Sequence, residues 1–245
     1  MENAQIIGLS RQVALRRELD VIANNLANLN TTGFRGESVM FEEYLMPVAE
    51  MDSFRQPDRQ LSYVLDRGTF HNFDQGNVVT TGAPLDVALQ GEGFFVVQAP
   101  EGERYTRAGS FAIDNTGTLV TLDGKPVMGE GGTIVFGPDD VDIAIAGDGT
   151  ISVGGEARDR LRVVEFAQPQ LLEKVGENLF SGTGGAPAER TRVMQGALEK
   201  SNVTAVAEIS RMIEVTRTYE TISHLLAKGA DLRSKAIEKL GTTNA

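Results

Sequence analysis

Near the start of the chain, apolar residues recur with the period of an α-helix. Leu15, Leu19, Ile22, Leu26 and Leu29 follow one another at intervals of four, three, four and three. Those intervals set them on one stripe, with Arg16, Arg17, Glu18 and Asp20 mostly off it. The pattern predicts a helix from Gln5 that fails near 28–33, where Asn, Thr and Gly favour turns and local side-chain hydrogen bonds. The far end mirrors it. Ser201 or Asn202 offers a cap, and Ile209, Met212, Val215, Tyr219, Ile222 and Leu226 form a second stripe. Glu208 with Arg211, Arg211 with Glu214, Glu214 with Arg217 and Asp231 with Lys235 sit at helical pair spacing, each worth ~0.2–0.5 kcal/mol. Gly229 and Gly241 weaken the last part, so that end is expected to fray. Isolated helices of this kind are marginal in water. Both ends are therefore expected to be partly disordered in a free monomer and to order on assembly.

Between the two stripes the period changes to two. Leu85 to Leu89 alternates, Gly91-Glu92-Gly93 turns, and Phe94 to Val97 returns as a strand. Turns at Asn115-Thr116-Gly117 and Asp123-Gly124 punctuate the run from Tyr105 to Pro126. Val141 to Ile145 alternates again, and Asp148-Gly149 leads back through Thr150 to Val153, a hairpin signal. Leu161 to Phe166 closes the series. Short strands at this spacing predict a sandwich or barrel-like body over 76–190. The stretch 35–75 mixes Phe41, Tyr44, Phe54, Tyr63, Phe70 and Phe73 with polar residues and is too long for a plain loop. It reads either as an extended hairpin arm or as a segment ordered only against neighbours.

Composition sharpens this division. All eight prolines lie between Pro47 and Pro187, and twenty-two of the twenty-seven glycines lie in 35–195, so the helix breakers sit in the middle. The fold class is α+β. Residues 1–34 form an N-terminal helix and 35–75 a connecting segment or arm. Residues 76–195 form a central all-β domain, and 196–245 a C-terminal helix that pairs with the first as a coiled coil. Charge follows the same boundaries: 1–34 is neutral, 35–195 carries a net −12 and 196–245 a net +1. A nucleic acid would be repelled by the acidic middle, and no basic stripe interleaved with aromatics occurs. The chain has no cysteine, which excludes disulfides and thiolate metal sites. No run approaches the ~20 apolar residues that span a bilayer. The first ten residues lack the basic start and apolar core of a secretory signal, so any export is expected to leave the N-terminus uncleaved.

Candidate chemistry is sparse. His71 and His224 lie 153 positions apart, and neither stands in a metal-binding pattern. Gly91-Glu92-Gly93 lacks the third glycine of a dinucleotide fingerprint and precedes a strand. The Gly-Thr-Gly-Gly run at 182–185 lacks the lysine of a phosphate loop. Asp114-Asn115-Thr116-Gly117 and Asp148-Gly149-Thr150 begin like calcium loops but do not complete the ligand series with a distal glutamate. Ser110 and Ser181 have no Gly-x-Ser-x-Gly context. No catalytic, cofactor or metal site is assigned. An enzyme would need convergent carboxylates in a cleft, which sequence does not display. A secreted binding module is the other competitor, with the two helices pairing inside one chain to display a ligand surface.

Four blocks then carry a resemblance. Ala23-Asn24-Asn25-Leu26-Ala27-Asn28-Leu29-Asn30-Thr31-Thr32-Gly33-Phe34-Arg35 resembles the N-terminal signature of the flagellar basal-body rod and hook protein family. Gln75-Gly76-Asn77 with Thr81 to Phe95 is similar to the block shared by members with a β domain, and Tyr105-Thr106-Arg107-Ala108-Gly109-Ser110-Phe111 extends it. Gln195-Gly196-Ala197-Leu198-Glu199-Lys200-Ser201-Asn202-Val203, then Met212-Ile213 and Arg217-Thr218-Tyr219-Glu220, is similar to the C-terminal motif. The blocks keep their order and span nearly the whole chain. Within the family the compact length is most like the proximal-rod members, with the distal-rod members next.

The resemblance implies a structural subunit of the periplasmic rod, without enzymatic activity or cofactor. It would be exported unfolded by the flagellar type III apparatus and assembled beneath a rod-assembly cap with itself and other rod proteins. The terminal helices would form the inner tube and the β domain would lie outside. The expected subunit interface comprises Leu19, Ile22, Asn24, Asn25, Leu26, Asn28 and Leu29 on the first helix. On the second it comprises Ile209, Met212, Tyr219, Ile222 and Leu226.

Overall fold

The computed structural model describes residues 2–45, 62–138, 140 and 142–242 of the 245-residue chain. They divide into two compact units, and the chain passes between them four times. The first unit draws on Met1–Leu26, Glu37–Phe70 and Ala205–Ala245, the second on Ala27–Gly36 and His71–Thr204.

Two long helices dominate the first unit: α1, Glu2–Ala27, and α2, Ala205–Thr242. Their contacts advance along one helix as they retreat along the other. Leu226 packs on Gly8, where a β-carbon would stand 2.7 Å from its Cδ2. Gln12 Nε2 donates to Ser223 Oγ at 2.6 Å, Arg211 Nε to Glu18 Oε1 at 2.9 Å, and Asn25 Nδ2 to Glu208 Oε1 at 3.4 Å. The helices therefore pair antiparallel. Ala14, Val21 and Ile22 of α1 and Val215 of α2 are buried. Gly229 does not interrupt α2, which runs on to Thr242.

The stretch between the first helix and the β body contains two paired strands, Glu37–Leu45 and Ser62–His71, with an Arg67–Glu42 ion pair between them. Phe54 and the rest of 46–61 lie outside the described residues, as does Val141. Val39 is buried and Met40 beside it is half exposed, as alternation along a strand requires.

The second unit is built from small antiparallel sheets around two apolar cores. Its centre is Phe94–Ala99, whose apolar run Phe94 to Val97 does not alternate. Phe94 and Val96 enter one core with Val164, Phe166, Leu172 and Phe180. Phe95 and Val97 enter the other with Leu89, Phe111, Leu119, Val127 and Ile151. A strand apolar on both faces needs cover on both, and this one lies inside a six-stranded sheet. The order is Glu173–Gly176, Leu179–Ser181, Gly102–Thr106, Phe94–Ala99, Val163–Glu165, Ala186–Pro187. The strands flanking Gly91-Glu92-Gly93 therefore do not pair with each other. Val87–Gln90 pairs with Arg192–Gln195 instead, in the register Leu89 to Val193. The Asp148-Gly149 turn joins Ile143–Ile145 to Thr150–Val153, with Ile145 opposite Ile151.

The start of α2 at Ala205 differs from the expected cap at Ser201 or Asn202. Those polar side chains are engaged elsewhere: Ser201 Oγ accepts from Val203 N at 3.2 Å, and Asn202 bonds backbone groups of Gly36, Asn72 and Asp74 in two other segments of the second unit.

Candidate functional site: outer helix faces and a buried motif junction

In the first unit the feature that bears on function is apolar surface left uncovered. Ile6, Leu9 and Val13 share one face of α1 and are 50%, 58% and 63% exposed. That face lies about 100° around the helix from Gly8 and Gln12, which meet α2. On α2, Val206, Ile209 and Ile213 repeat the spacing at 75%, 45% and 47% exposure, and Leu225 and Leu232 continue outward-facing apolar surface along the helix.

The residues assigned to the interface from sequence distribute unevenly. Ile22 and Asn25 are buried, each 2% exposed. Leu19, Leu26, Asn28, Leu29, Met212, Tyr219, Ile222 and Leu226 are half-buried, and only Asn24 and Ile209 are exposed. Most of that set is thus at least partly covered within the chain. Asn25 explains one of the asparagines. Its Oδ1 accepts from Glu37 N and its Nδ2 donates to Glu37 O, both at 2.8 Å, so its amide mimics a strand partner where the chain leaves the turn.

The second unit holds a buried charged junction that periodicity did not reveal. Glu199 sits on the strand Ala197–Glu199, paired with Val78–Thr80. Its Oε1 accepts from Arg35 Nη2 at 2.7 Å and from Gly76 N at 2.8 Å, and its Oε2 from Arg107 Nη1 at 3.4 Å. Its backbone oxygen accepts from Gly33 N at 2.8 Å. Arg35, Arg107 and Glu199 are each no more than 2% exposed. Arg107 also donates through Nη2 to Gly91 O and stacks over Phe94, 5.2 Å from the ring centre. Burial, reinforced by the Arg35 charge, pulls the Arg107 pKa down to about 10 against the opposing pull of Glu199, Glu92 and Glu165.

Two glycines make the closeness possible. Gly33 has φ of +65°, and a β-carbon there would stand 2.3 Å from the Arg107 carbonyl carbon. At Gly76 it would stand 2.0 Å from Lys200 O. One available signal lay in the Ala197-Leu198-Glu199 alternation, which sets Glu199 on the inward side with Ala197; a buried carboxylate needs partners.

The junction positions no nucleophile and no open metal site, and among the described residues no cluster of His, Asp and Glu is placed to hold a metal. His71 lies edge-on to Phe73 and Phe180, and His224 is exposed on α2. An open groove of about 730 Å³ runs beside Phe166, Leu171 and Leu172. Of its charged lining residues, Glu103 and Arg104 are engaged by Arg162 and Glu101. No described helix is long and apolar enough to cross a membrane.

The segments that meet at this junction are ones that match known proteins. Residues 7–35 match the family described as Flagella basal body rod protein, and 88–153 match the Flagellar hook protein FlgE/F/G D1 domain. Residues 194–238 match the Flagellar basal body rod FlgEFG protein C-terminal family. Arg35, Arg107 and Glu199 each fall in a different one of these segments. The chain is 40% identical over 249 residues to the flagellar basal-body rod protein FlgF of Caulobacter vibrioides, covering 100% of both. It is 33% identical to FlgF of Rhizobium meliloti, over 98% of this chain and 99% of that one. To the flagellar basal-body rod protein FlgG of Bacillus subtilis it is 32% identical, over 94% and 96%. With all three matched segments in order and full-length relatives at this identity, the chain belongs to the flagellar basal-body rod protein family.

Proposed function

We propose that this structural rod subunit is a proximal-rod component that docks on neighbouring rod subunits through the outer faces of its helix pair. The observation that carries the reading is the pair of uncovered stripes, Ile6, Leu9, Val13 and Val206, Ile209, Ile213. Contiguous exposed apolar surface on a folded unit marks an interaction face. Two different faces on one subunit make a heterologous contact, and repetition without closure builds a helical tube that shares load among many copies. Leu19, Ile22, Leu26, Met212, Tyr219, Ile222 and Leu226 contribute as the seam that holds the pair, while Asn24, with Asn28 and Leu29 beyond it, borders the chain exit. The 40% identity to FlgF of Caulobacter vibrioides over the whole of both chains, against 32% to FlgG of Bacillus subtilis, supports the proximal over the distal assignment. In this reading the subunit catalyses nothing, travels unfolded through the flagellar type III apparatus and is placed beneath a rod-assembly cap.

Leu9→Asp and Ile209→Asp test it. Each adds charge to an exposed position, so the melting temperature of the purified monomer should stay within a degree or so of wild type. Rod formation and swimming in a strain lacking the native subunit should be lost. Normal swimming with both variants would overturn the docking assignment.

A further inference from the structure

We infer that the junction around Glu199 is a latch that opens separately from the β body, releasing the chain segments that lead into the two long helices. The inference does not rest on the docking faces. It rests on how the segments 28–36, 72–77 and 199–204 are held within the second unit.

Polar contacts hold much of them, beside the buried Phe34 and beside Phe73, which packs on the core of Phe94 and Phe180. Besides the bonds to Glu199, Gly36 N donates to Asn202 Oδ1 at 2.8 Å, and Asn202 Nδ2 donates to Asn72 O at 2.8 Å and Asp74 O at 2.9 Å. Asn72 N donates back to Gly36 O at 2.8 Å, and Lys200 N to Asn77 O at 2.9 Å. Residues 28–36 and 199–204 contribute nothing to either apolar core cluster. Their attachment is therefore of a different kind from the packing of Phe94 to Val97.

The charge at the centre is also unbalanced. Two buried guanidiniums share one buried carboxylate, and among the described residues Arg35 Nε, Arg35 Nη1 and Arg107 Nε find no acceptor. Desolvating charge costs free energy that Glu199, with Glu92 and Glu165 acting on Arg107 without a hydrogen bond, offsets only in part, so a buried ion cluster is weak evidence of stability. An element held largely by polar contacts, with little apolar burial beyond Phe34 and Phe73, is the kind that opens locally below the free energy of global unfolding. The tight seats at Gly33 and Gly76 make closure specific: the segments fit in one register or not at all.

Hydrogen exchange on the dilute full-length chain reads the latch directly. The amides of Gly33, Gly76 and Lys200 should exchange about tenfold or more faster than those of Val96, Leu119 and Val127, which are buried and hydrogen-bonded in the β body. Glu199→Gln should accelerate the first set again and leave the second unchanged. Asn202→Ala, at a half-buried position, serves the same purpose if Glu199→Gln does not fold. Equal rates for both sets in the native chain, or both sets accelerating together in the variants, would overturn the inference.

Whether opening matters for assembly is tested by locking it. The chain has no cysteine, and a β-carbon at Gly36 would lie 3.3 Å from Val203 Cγ2. Gly36→Cys with Val203→Cys therefore places two thiols within bridging range. The oxidised chain should fail to join rods and regain that ability on reduction. Equal assembly in both states would show that the latch need not open. Leu9→Asp should leave latch exchange untouched, which separates this inference from the docking proposal.

Discussion

The Glu165 carboxylate shows how single polar groups fasten the β body. It accepts from Thr191 Oγ1 at 2.7 Å, Thr191 N at 3.0 Å and Arg190 N at 3.3 Å. The Thr191 hydroxyl accepts in turn from Gly93 N at 2.9 Å, so one threonine links the Gly91 to Gly93 turn to the strand Val163–Glu165. The Thr191 hydroxyl bond, with the backbone donors, holds the Glu165 pKa below its ordinary 4.5. A depressed carboxylate adds stability that is complete above the unfolded value and lost as pH falls through the folded one. The loss for this group therefore lies below pH 4.5. Thr191→Val keeps the shape and removes the hydroxyl. The Glu165 titration followed by carbon NMR should then move up toward the ordinary value, and acid destabilisation should begin at higher pH. An unmoved midpoint would assign the depression to the backbone donors alone.

Gly8, Gln12, Glu18 and Asn25 of α1 meet α2 directly, and none of these is an apolar stripe residue. A leucine at Gly8 has a helix propensity better by about 1 kcal/mol, so propensity alone favours Gly8→Leu. The Leu226 side chain already fills that space, and overpacking costs about 1–3 kcal/mol. Gly8→Leu should therefore lower the thermal midpoint of the helical signal. A raised midpoint would mean that the helices do not meet there. The same elements show what was legible in the sequence. Existence and type of the first helix followed from the spacing of Leu15, Leu19, Ile22 and Leu26, and of the second from Ile209, Met212, Val215 and Tyr219, because that signal is local. Which apolar face turns inward did not follow, because Ile6, Leu9 and Val13 are as apolar as the stripe beside them. The Asp148-Gly149 hairpin was readable because its partners are adjacent. The pairing of Leu89 with Val193 was not, and neither was the meeting of Arg35 and Arg107 with Glu199, since both join residues about a hundred positions or more apart with no shared period. Asn202 was misleading for a physical reason: an amide that suits a helix cap suits a backbone clamp equally well.

On the scale of the molecule, the two units differ in what sustains them. The second buries two aromatic-rich cores, with Phe94, Phe95 and Phe180 essentially inaccessible. In the first, the described residues bury chiefly Ala14, Val21, Ile22, Val39 and Val215, while its longest apolar stripes face outward. Burial stabilises by about 25 cal/mol per Å² of apolar surface, so the isolated helix unit should be the weaker of the two. A chain of this kind need not melt in one step. Circular dichroism at 222 nm should record an early transition from α1 and α2, and near-ultraviolet signals a later one from the β body. Ile22→Asp, which places a charge in the helix seam, should abolish the early transition and leave the later one in place. Phe180→Ala should do the reverse, lowering the later transition by the equivalent of about 3–5 kcal/mol. If a single transition carried both signals, and either variant shifted the whole of it, the units would be one cooperative body. The helices would then arrive at the rod already fixed. Separate transitions would mean that the helical unit gains its final stability only when neighbouring subunits cover Ile6, Leu9, Val13, Val206, Ile209 and Ile213.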